Sequence, residues 1–163
     1  MLILIKFLLF FSLAFILFQD YRNRQVYTFL FPIFGILGSY LFFLNSKIEY
    51  YFFSVCINLG IILIVVLLNY LFAEVVLKMK LLNEAMGLGD IFFFIAFAIS
   101  FPTVTFINFF VFSILFTFVI HFALSKLLKN KNRYIPLAGY MSLFLMGIYS
   151  VSWLGLYDYI YLL

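Results

Sequence analysis

Acidic side chains are the groups in this sequence best suited to chemistry. The acidic residues are Asp20, Glu49, Glu74, Glu84, Asp90 and Asp158. Asp20 follows the apolar run at the N-terminus, and Asp90 precedes another apolar run that is rich in phenylalanine. Two carboxyl groups held close together share one proton, so the ionised one can activate water while the protonated one polarises a carbonyl. If the fold brings them together, Asp20 and Asp90 are suited to hydrolysing a peptide bond.

Two glycines precede the second of these aspartates, in the stretch Gly87-Leu88-Gly89-Asp90. Glycine adopts backbone conformations that other residues avoid, and it leaves room for a neighbouring segment. We therefore expect a sharp turn and a close approach beside Asp90. The alternative is that Asp90 simply caps a helix and Asp20 is an interfacial anchor beside Arg22. A simple cap requires neither glycine, so the glycines favour a functional pair.

The composition predicts an all-α integral membrane protein. The chain has 163 residues, of which 68% are hydrophobic and 10% are charged, and 26 are Phe. The apolar runs are continuous, as in membrane helices, whereas strands of a membrane barrel alternate in polarity. The net charge is +4, and the charged residues lie between the apolar runs. We therefore interpret them as determining the orientation of the helices in the membrane, and we expect no nucleic-acid partner. The single cysteine, Cys56, excludes an intrachain disulfide and a multi-cysteine zinc site.

The apolar runs predict six transmembrane helices in one membrane-embedded domain that covers residues 1–163. Their expected bounds are 2–18, 27–44, 50–73, 86–101, 104–124 and 136–157. The stretch from Ile91 to Leu124 is too long for one helix, and Phe101-Pro102-Thr103 is a natural place for a turn. No soluble domain fits this layout, so any chemistry is expected in or beside the bilayer.

The basic residues predict the orientation of the helices. Those in the first, third and fifth loops are Arg22, Arg24, Lys78, Lys80, Lys126, Lys129, Lys131 and Arg133. By the positive-inside bias these loops are cytoplasmic and both termini face outside. The other side has Lys47 and Lys6, of which Lys6 is the dissenting charge. This topology puts Asp20 and Asp90 at the cytoplasmic face, where a bundle can bring them together across 70 residues of sequence.

These residues resemble the motifs of the type IV prepilin peptidases and the archaeal preflagellin peptidases, which are membrane aspartyl proteases with a Gly-x-Gly-Asp signature. Gly87-Leu88-Gly89-Asp90 matches that signature. The segment from Asp20 to Thr28 follows the family's first motif through its basic stretch and Val26, but Tyr27 and Thr28 stand where Pro and Asn are common. The segment from Arg133 to Gly139 is similar to the one that opens the family's last helix.

The resemblance implies an aspartic-type endopeptidase in the prokaryotic inner membrane, with Asp20 and Asp90 as catalytic residues facing the cytoplasm. Its substrates would be prepilin-like proteins that have a short basic leader before an apolar helix. The resemblance implies no metal and no organic cofactor. Larger members carry paired Cys-x-x-Cys motifs and an N-methyltransferase activity. With one cysteine, this chain resembles the short, peptidase-only branch.

Further residues are candidates for substrate binding or for supporting the aspartates: Glu84, Arg24 and Pro136. Glu84 follows Lys80 by four residues, so the two could instead form a pair within a helix. Many family members have Lys two residues after the second aspartate, whereas this chain has Phe92. His121 has no second ligand at metal-binding spacing, which makes a metal site improbable there.

Two other classes of function stay open at this stage. A small transporter or proton relay would pass protons through Asp20 and Asp90, but it needs polar residues across the whole membrane. A structural membrane subunit would have no chemistry, and Asp20→Asn and Asp90→Asn would be silent in it. A protease of the presenilin type is disfavoured, because Phe18-Gln19-Asp20 lacks the Tyr-Asp pattern of that class.

Overall fold

The computed structural model describes residues 1–77, 87–128, 135–156 and 159–161. Within these ranges the protein is helical and contains no strand, which confirms the all-α prediction. The helices are α1 (Leu2–Asn23), α2 (Leu30–Leu44), α3 (Ile48–Leu71), α4 (Leu88–Ala98), α5 (Thr103–Leu128) and α6 (Leu137–Trp153). A π-helical turn, Phe72–Leu77, continues α3, and a 3-10 turn covers Tyr159–Tyr161.

The end of α1 differs from the prediction, because the helix continues past residue 18 to Asn23 and includes Asp20. It ends where Arg24 adopts the left-handed conformation, with φ 53°, and donates its backbone N–H to the Asp20 carbonyl at 3.1 Å. This is the usual geometry of a helix C-terminus, although glycine is the common residue there. Asp20 therefore lies in a rigid last turn.

Other helix ends also differ from the prediction: α4 ends at Ala98 instead of residue 101, and α5 ends at Leu128 instead of residue 124. The second helix begins at Leu30 instead of residue 27, because the Leu30 N–H bonds to the Tyr27 carbonyl at 3.0 Å in a turn. The last helix ends at Trp153 instead of residue 157. There Gly155, with φ 73°, begins the chain reversal, and the Leu156 N–H bonds back to the Val151 carbonyl at 3.2 Å. That pattern is a Schellman motif, which needs the left-handed glycine.

The expected turn between the fourth and fifth helices is confirmed at Pro102. α4 ends at Ala98, α5 begins at Thr103, and the Phe106 N–H bonds to the Pro102 carbonyl at 2.7 Å. The free carbonyls at the end of α4 are satisfied from α3. Asn58 Nδ2 donates to the carbonyls of Ala98 and Phe101, both at 2.8 Å. These bonds tie the middle of α3 to the end of α4.

The helices fall into two groups by length and burial. Three stretches are long and apolar enough to cross a membrane: Leu2–Asn23, Ile48–Val75 and Thr103–Lys126. Only 17–33% of the apolar window of each stretch is buried inside the bundle, and such largely unburied apolar surfaces are typical of helices that face lipid. α2, α4 and α6 are shorter apolar helices. α4 packs on α2, α3, α5 and α6, and α1 packs most extensively on α6.

The core is largely aromatic. Its fully buried large side chains include Phe31, Phe34, Phe93, Phe97, Phe101, Phe106 and Tyr149. Phe97 makes edge-to-face contacts with the rings of Phe101 and Phe106, at centroid distances of 5.5 and 5.6 Å. Edge-to-face pairs add favourable energy beyond the burial of area. The core therefore holds α4 tightly against α5.

Lys6 lies beside Trp153, with Nζ 5.4 Å from the centroid of the indole ring. The start of α1 and the end of α6 therefore meet at one end of the bundle, which we call the far end. An ammonium over an indole face is attracted by the ring electrons, and both residue types are common where helices leave a membrane. The charge that dissented from the sequence-based topology thus has an aromatic partner.

Candidate active site

The first aspartate is held at the end of α1 by the start of α6. Asp20 is half-buried, and its Oδ2 accepts the backbone N–H of Gly139 at 2.6 Å. Gly139 lies in the first turn of α6, where N–H groups have no carbonyl partner within their own helix. These groups also form the positive end of the helix dipole, which stabilises an anion. Asp20 is therefore a carboxylate bound at a helix N-terminus.

The second aspartate lies in the first turn of α4 and is also half-buried. Gly87 precedes the helix, and the Asp90 N–H bonds to the Gly87 carbonyl at 3.1 Å. The Asp90 carboxylate interacts in turn with the backbone N–H groups of Gly87 and Ala138. Ala138 immediately precedes Gly139, so one of two neighbouring peptide groups of α6 binds Asp20 and the other acts electrostatically on Asp90.

Both aspartates line one pocket of about 610 Å³ that opens at the surface. The carboxylates are close enough to repel each other. We call this end of the bundle the pocket end. It contains the end of α1 and the starts of α2, α4 and α6. The fold thus joins two acids that lie 70 residues apart in the sequence.

The walls of the pocket differ in polarity. The segment after α1 contributes polar side chains from Arg24, Gln25 and Thr28. The aromatic part of the lining consists of Phe31 and Phe92, whose rings stack with centroids 6.4 Å apart. Phe92 is the residue that stands where many members of the resembled family have Lys. The pocket therefore has an aromatic surface at this position.

The structure corrects the expected role of the two glycines before Asp90. Gly87 has φ −75° and ψ 145°, an extended conformation that any residue adopts, and Gly89 lies within α4 without a positive φ. Neither residue has the left-handed conformation that would require glycine. A Cβ atom at Gly87 or at Gly89 would make its nearest contact at 3.4 Å, with Asp90 Oδ2 or with the Phe31 ring, respectively. Both glycines line the pocket, but neither is required by backbone conformation or by space.

The sequence analysis placed Ala138 and Gly139 in the motif from Arg133 to Gly139 but assigned a site role only to Pro136. The available signal was Pro136, which is typical of a helix start, together with the tendency of helix N-termini to bind anions. Pro136 is the N-cap residue of α6, and the contacts with the carboxylates come from the following residues. Which acid would lie against this helix start could not be predicted, because residues 20 and 139 are far apart along the chain.

Arg24, another predicted site residue, lines the pocket, and its charge acts on Asp20. Glu84 lies outside the described residues. The departure from the family pattern at Tyr27 has a local explanation, because the Tyr27 N–H donates to Gln19 Oε1 at 3.0 Å. Proline has no N–H and could not make this bond. The bond ties the segment after α1 to the helix that carries Asp20.

Among the residues that the structure describes, no cluster of His, Cys, Asp and Glu is placed to hold a metal ion. The chemistry that the described site can supply is that of two carboxyl groups, a nearby guanidinium and backbone N–H groups. No family model, curated protein or solved structure matches the chain. The motifs around Asp20 and Asp90 and the geometry of their pocket are therefore the features that bear on function.

Proposed function

We propose that the protein is a membrane aspartyl endopeptidase that uses Asp20 and Asp90 to cleave prepilin-like substrates. One observation carries the proposal: the two carboxyl groups line one open pocket at the start of α6, whose Gly139 N–H binds Asp20. Burial among apolar helices makes paired carboxylates costly, so their position is better explained by chemistry than by stability. The Gly-x-Gly-Asp resemblance supports the same function.

In the proposed reaction, the pair holds one proton and a water molecule. The ionised carboxylate removes a proton from the water while the oxygen attacks the scissile carbonyl carbon. The protonated carboxyl group gives its proton to the developing oxyanion, which forms a neutral tetrahedral intermediate. When the C–N bond breaks, the amine leaves with one proton and the pair again holds one. No net proton is gained or lost by the enzyme, and general acid and base catalysis of this kind contributes about 10²- to 10⁴-fold.

The pocket end would lie at the cytoplasmic edge of a prokaryotic inner membrane, with six helices spanning the bilayer and both termini outside. The distribution of basic residues supports this orientation. A cut at the edge suits a leader junction, because a peptide bond inside a helix is protected by the hydrogen bonds of that helix. The substrate would then have its apolar helix in the bilayer and its leader in the pocket.

The proposal is tested by reconstituting the protein in lipid vesicles with a prepilin-like substrate and identifying the products by mass spectrometry. We expect one cut at the junction between leader and apolar helix, and loss of the cut in Asp20→Asn and in Asp90→Asn. Cleavage by either variant at the wild-type rate would exclude the pair as the catalytic group. A proton flux across the vesicles without cleavage would instead indicate a proton relay.

A further inference from the structure

We propose that Gly139 is a positioning residue that sets the place of the Asp20 carboxylate relative to Asp90. Its backbone N–H binds Asp20 Oδ2 at 2.6 Å, and its lack of a side chain allows that approach. The catalytic consequence depends on the proposed endopeptidase function. The contact itself does not.

There is little space around Gly139 for a side chain. A Cβ atom there would lie 3.0 Å from Asp20 Oδ2 and 3.1 Å from Asp20 Cβ. Those distances are shorter than ordinary van der Waals contact, so the aspartate or the start of α6 would have to move. The same atom at Gly87 or at Gly89 would meet its neighbour at an ordinary 3.4 Å. Of the glycines around the pair, Gly139 is therefore the one whose lack of a side chain matters.

The position of Gly139 in the first turn of α6 also matters. Gly139 is buried there, and glycine inside a helix costs about 1 kcal/mol relative to alanine. In return, α6 comes close enough for its N-terminal N–H groups to act on the pair: the Gly139 N–H binds Asp20, and the Ala138 N–H acts electrostatically on Asp90. Because consecutive peptide groups have fixed geometry, this turn restricts how far apart the two carboxylates can be. A side chain at residue 139 would require Asp20 or the start of α6 to shift by a few tenths of an ångström, which would move the Asp20 carboxylate relative to Asp90.

The kinetic test compares Gly139→Ala with Gly147→Ala. Both changes add one methyl group to α6, but a Cβ at Gly147 would meet nothing within 4 Å. We expect Gly139→Ala to lower kcat by about tenfold or more with KM little changed, because misplacing a catalytic group reduces the rate steeply. Gly147→Ala should keep the wild-type kcat. Equal kcat values for the two variants would overturn the positioning role while leaving the endopeptidase proposal intact.

A second measurement does not depend on activity. Thermal unfolding in detergent is followed for Gly139→Ala alone and in an Asp20→Gly background, which removes both contacting atoms. We expect Gly139→Ala to lower Tm when Asp20 is present, and to leave Tm unchanged or raise it in the Asp20→Gly background. Equal shifts in the two backgrounds would overturn the proposal. If the wild-type protein cleaves no substrate, the endopeptidase function fails, and this comparison still decides whether Gly139 positions Asp20.

Discussion

The two ends of α4 use polar groups in opposite ways. At its C-terminal end, the buried Asn58 closes the helix with two hydrogen bonds, and Phe101 is fully buried against the rings of Phe97 and Tyr149. At its N-terminal end, Asp90 shares an open pocket with another carboxylate. The C-terminal end is sealed by aromatic packing, whereas the N-terminal end is accessible.

The polar group at the C-terminal end of α4 contributes to stability, whereas those at the N-terminal end are suited to chemistry. An uncharged amide that donates two hydrogen bonds in a buried core stabilises the fold, because leaving the carbonyls unpaired there costs free energy. Two carboxylates that repel each other do not stabilise the fold, but they can bind and activate water. The comparison therefore predicts that changes at the pocket end reduce activity and that changes at the other end of α4 reduce stability.

The largest effect is expected when either aspartate loses its charge. Asp20→Asn and Asp90→Asn should each lower kcat about 10³-fold, within the range of general acid and base catalysis. The free energy of unfolding should change by less than about 1 kcal/mol, because the repulsion between the carboxylates is removed along with any favourable contact. Cleavage assays and thermal unfolding measure the two quantities. Glu49→Gln, at an exposed acid in the first turn of α3, is the control and should change neither.

The next effect concerns packing beside the C-terminal end of α4. A Cβ atom at Gly38 would collide with Ser100 Oγ and would lie 2.8 Å from Ser100 Cβ. We expect Gly38→Ala to lower the free energy of unfolding by about 1–3 kcal/mol, as overpacking does in cores. The kcat of the folded fraction should stay at the wild-type value. Gly60→Ala is the matched change, since a Cβ there would meet nothing within 4 Å. A fold unaffected by Gly38→Ala would contradict the tight packing inferred at this end.

A somewhat smaller loss of stability is expected for Asn58→Ala. The change leaves two buried carbonyls at the end of α4 unpaired, and we expect a loss of about 1–2 kcal/mol in the free energy of unfolding. Asn69→Ala is the control, because Asn69 is exposed on the same helix, α3. Its Nδ2 donates to the Val65 carbonyl of that helix at 2.8 Å, so this bond lies within α3. If the two variants unfold at the same temperature, the bonds from Asn58 do not stabilise the end of α4.

The smallest effect is expected for the Arg24 guanidinium, whose positive charge acts on Asp20. Arg24→Gln should lower kcat by about tenfold, which corresponds to about 1.4 kcal/mol, because it removes a positive charge that acts on Asp20. Arg24→Lys should retain most of the activity. Arg22→Gln is the control, since the Arg22 guanidinium lies 5.7 Å from the centroid of the Phe18 ring and outside the pocket lining. Equal loss in the two glutamine variants would point to a general charge effect.

Most of the helical layout could be predicted from the sequence, because a long apolar run and a proline turn are local signals. The turn at Pro102 and the order of the helices follow from such signals. The ends of α1 and α6 could not be located, since they depend on the left-handed conformations of Arg24 and Gly155. Arginine in particular rarely adopts a positive φ, so the sequence does not indicate that Arg24 will do so.

The candidate site divides in the same way. Asp20 and Asp90 stand out in the sequence because acids are rare in this apolar chain. The backbone conformations expected of Gly87 and Gly89 are not observed, and the motif that ends at Gly139 did not indicate that this glycine would bind Asp20. Only the tertiary structure decided that the start of α6 would contact both acids, since the bond between Gly139 and Asp20 joins residues 119 positions apart. Local patterns determine which segments become helices, whereas packing between helices determines which N–H group meets which carboxylate.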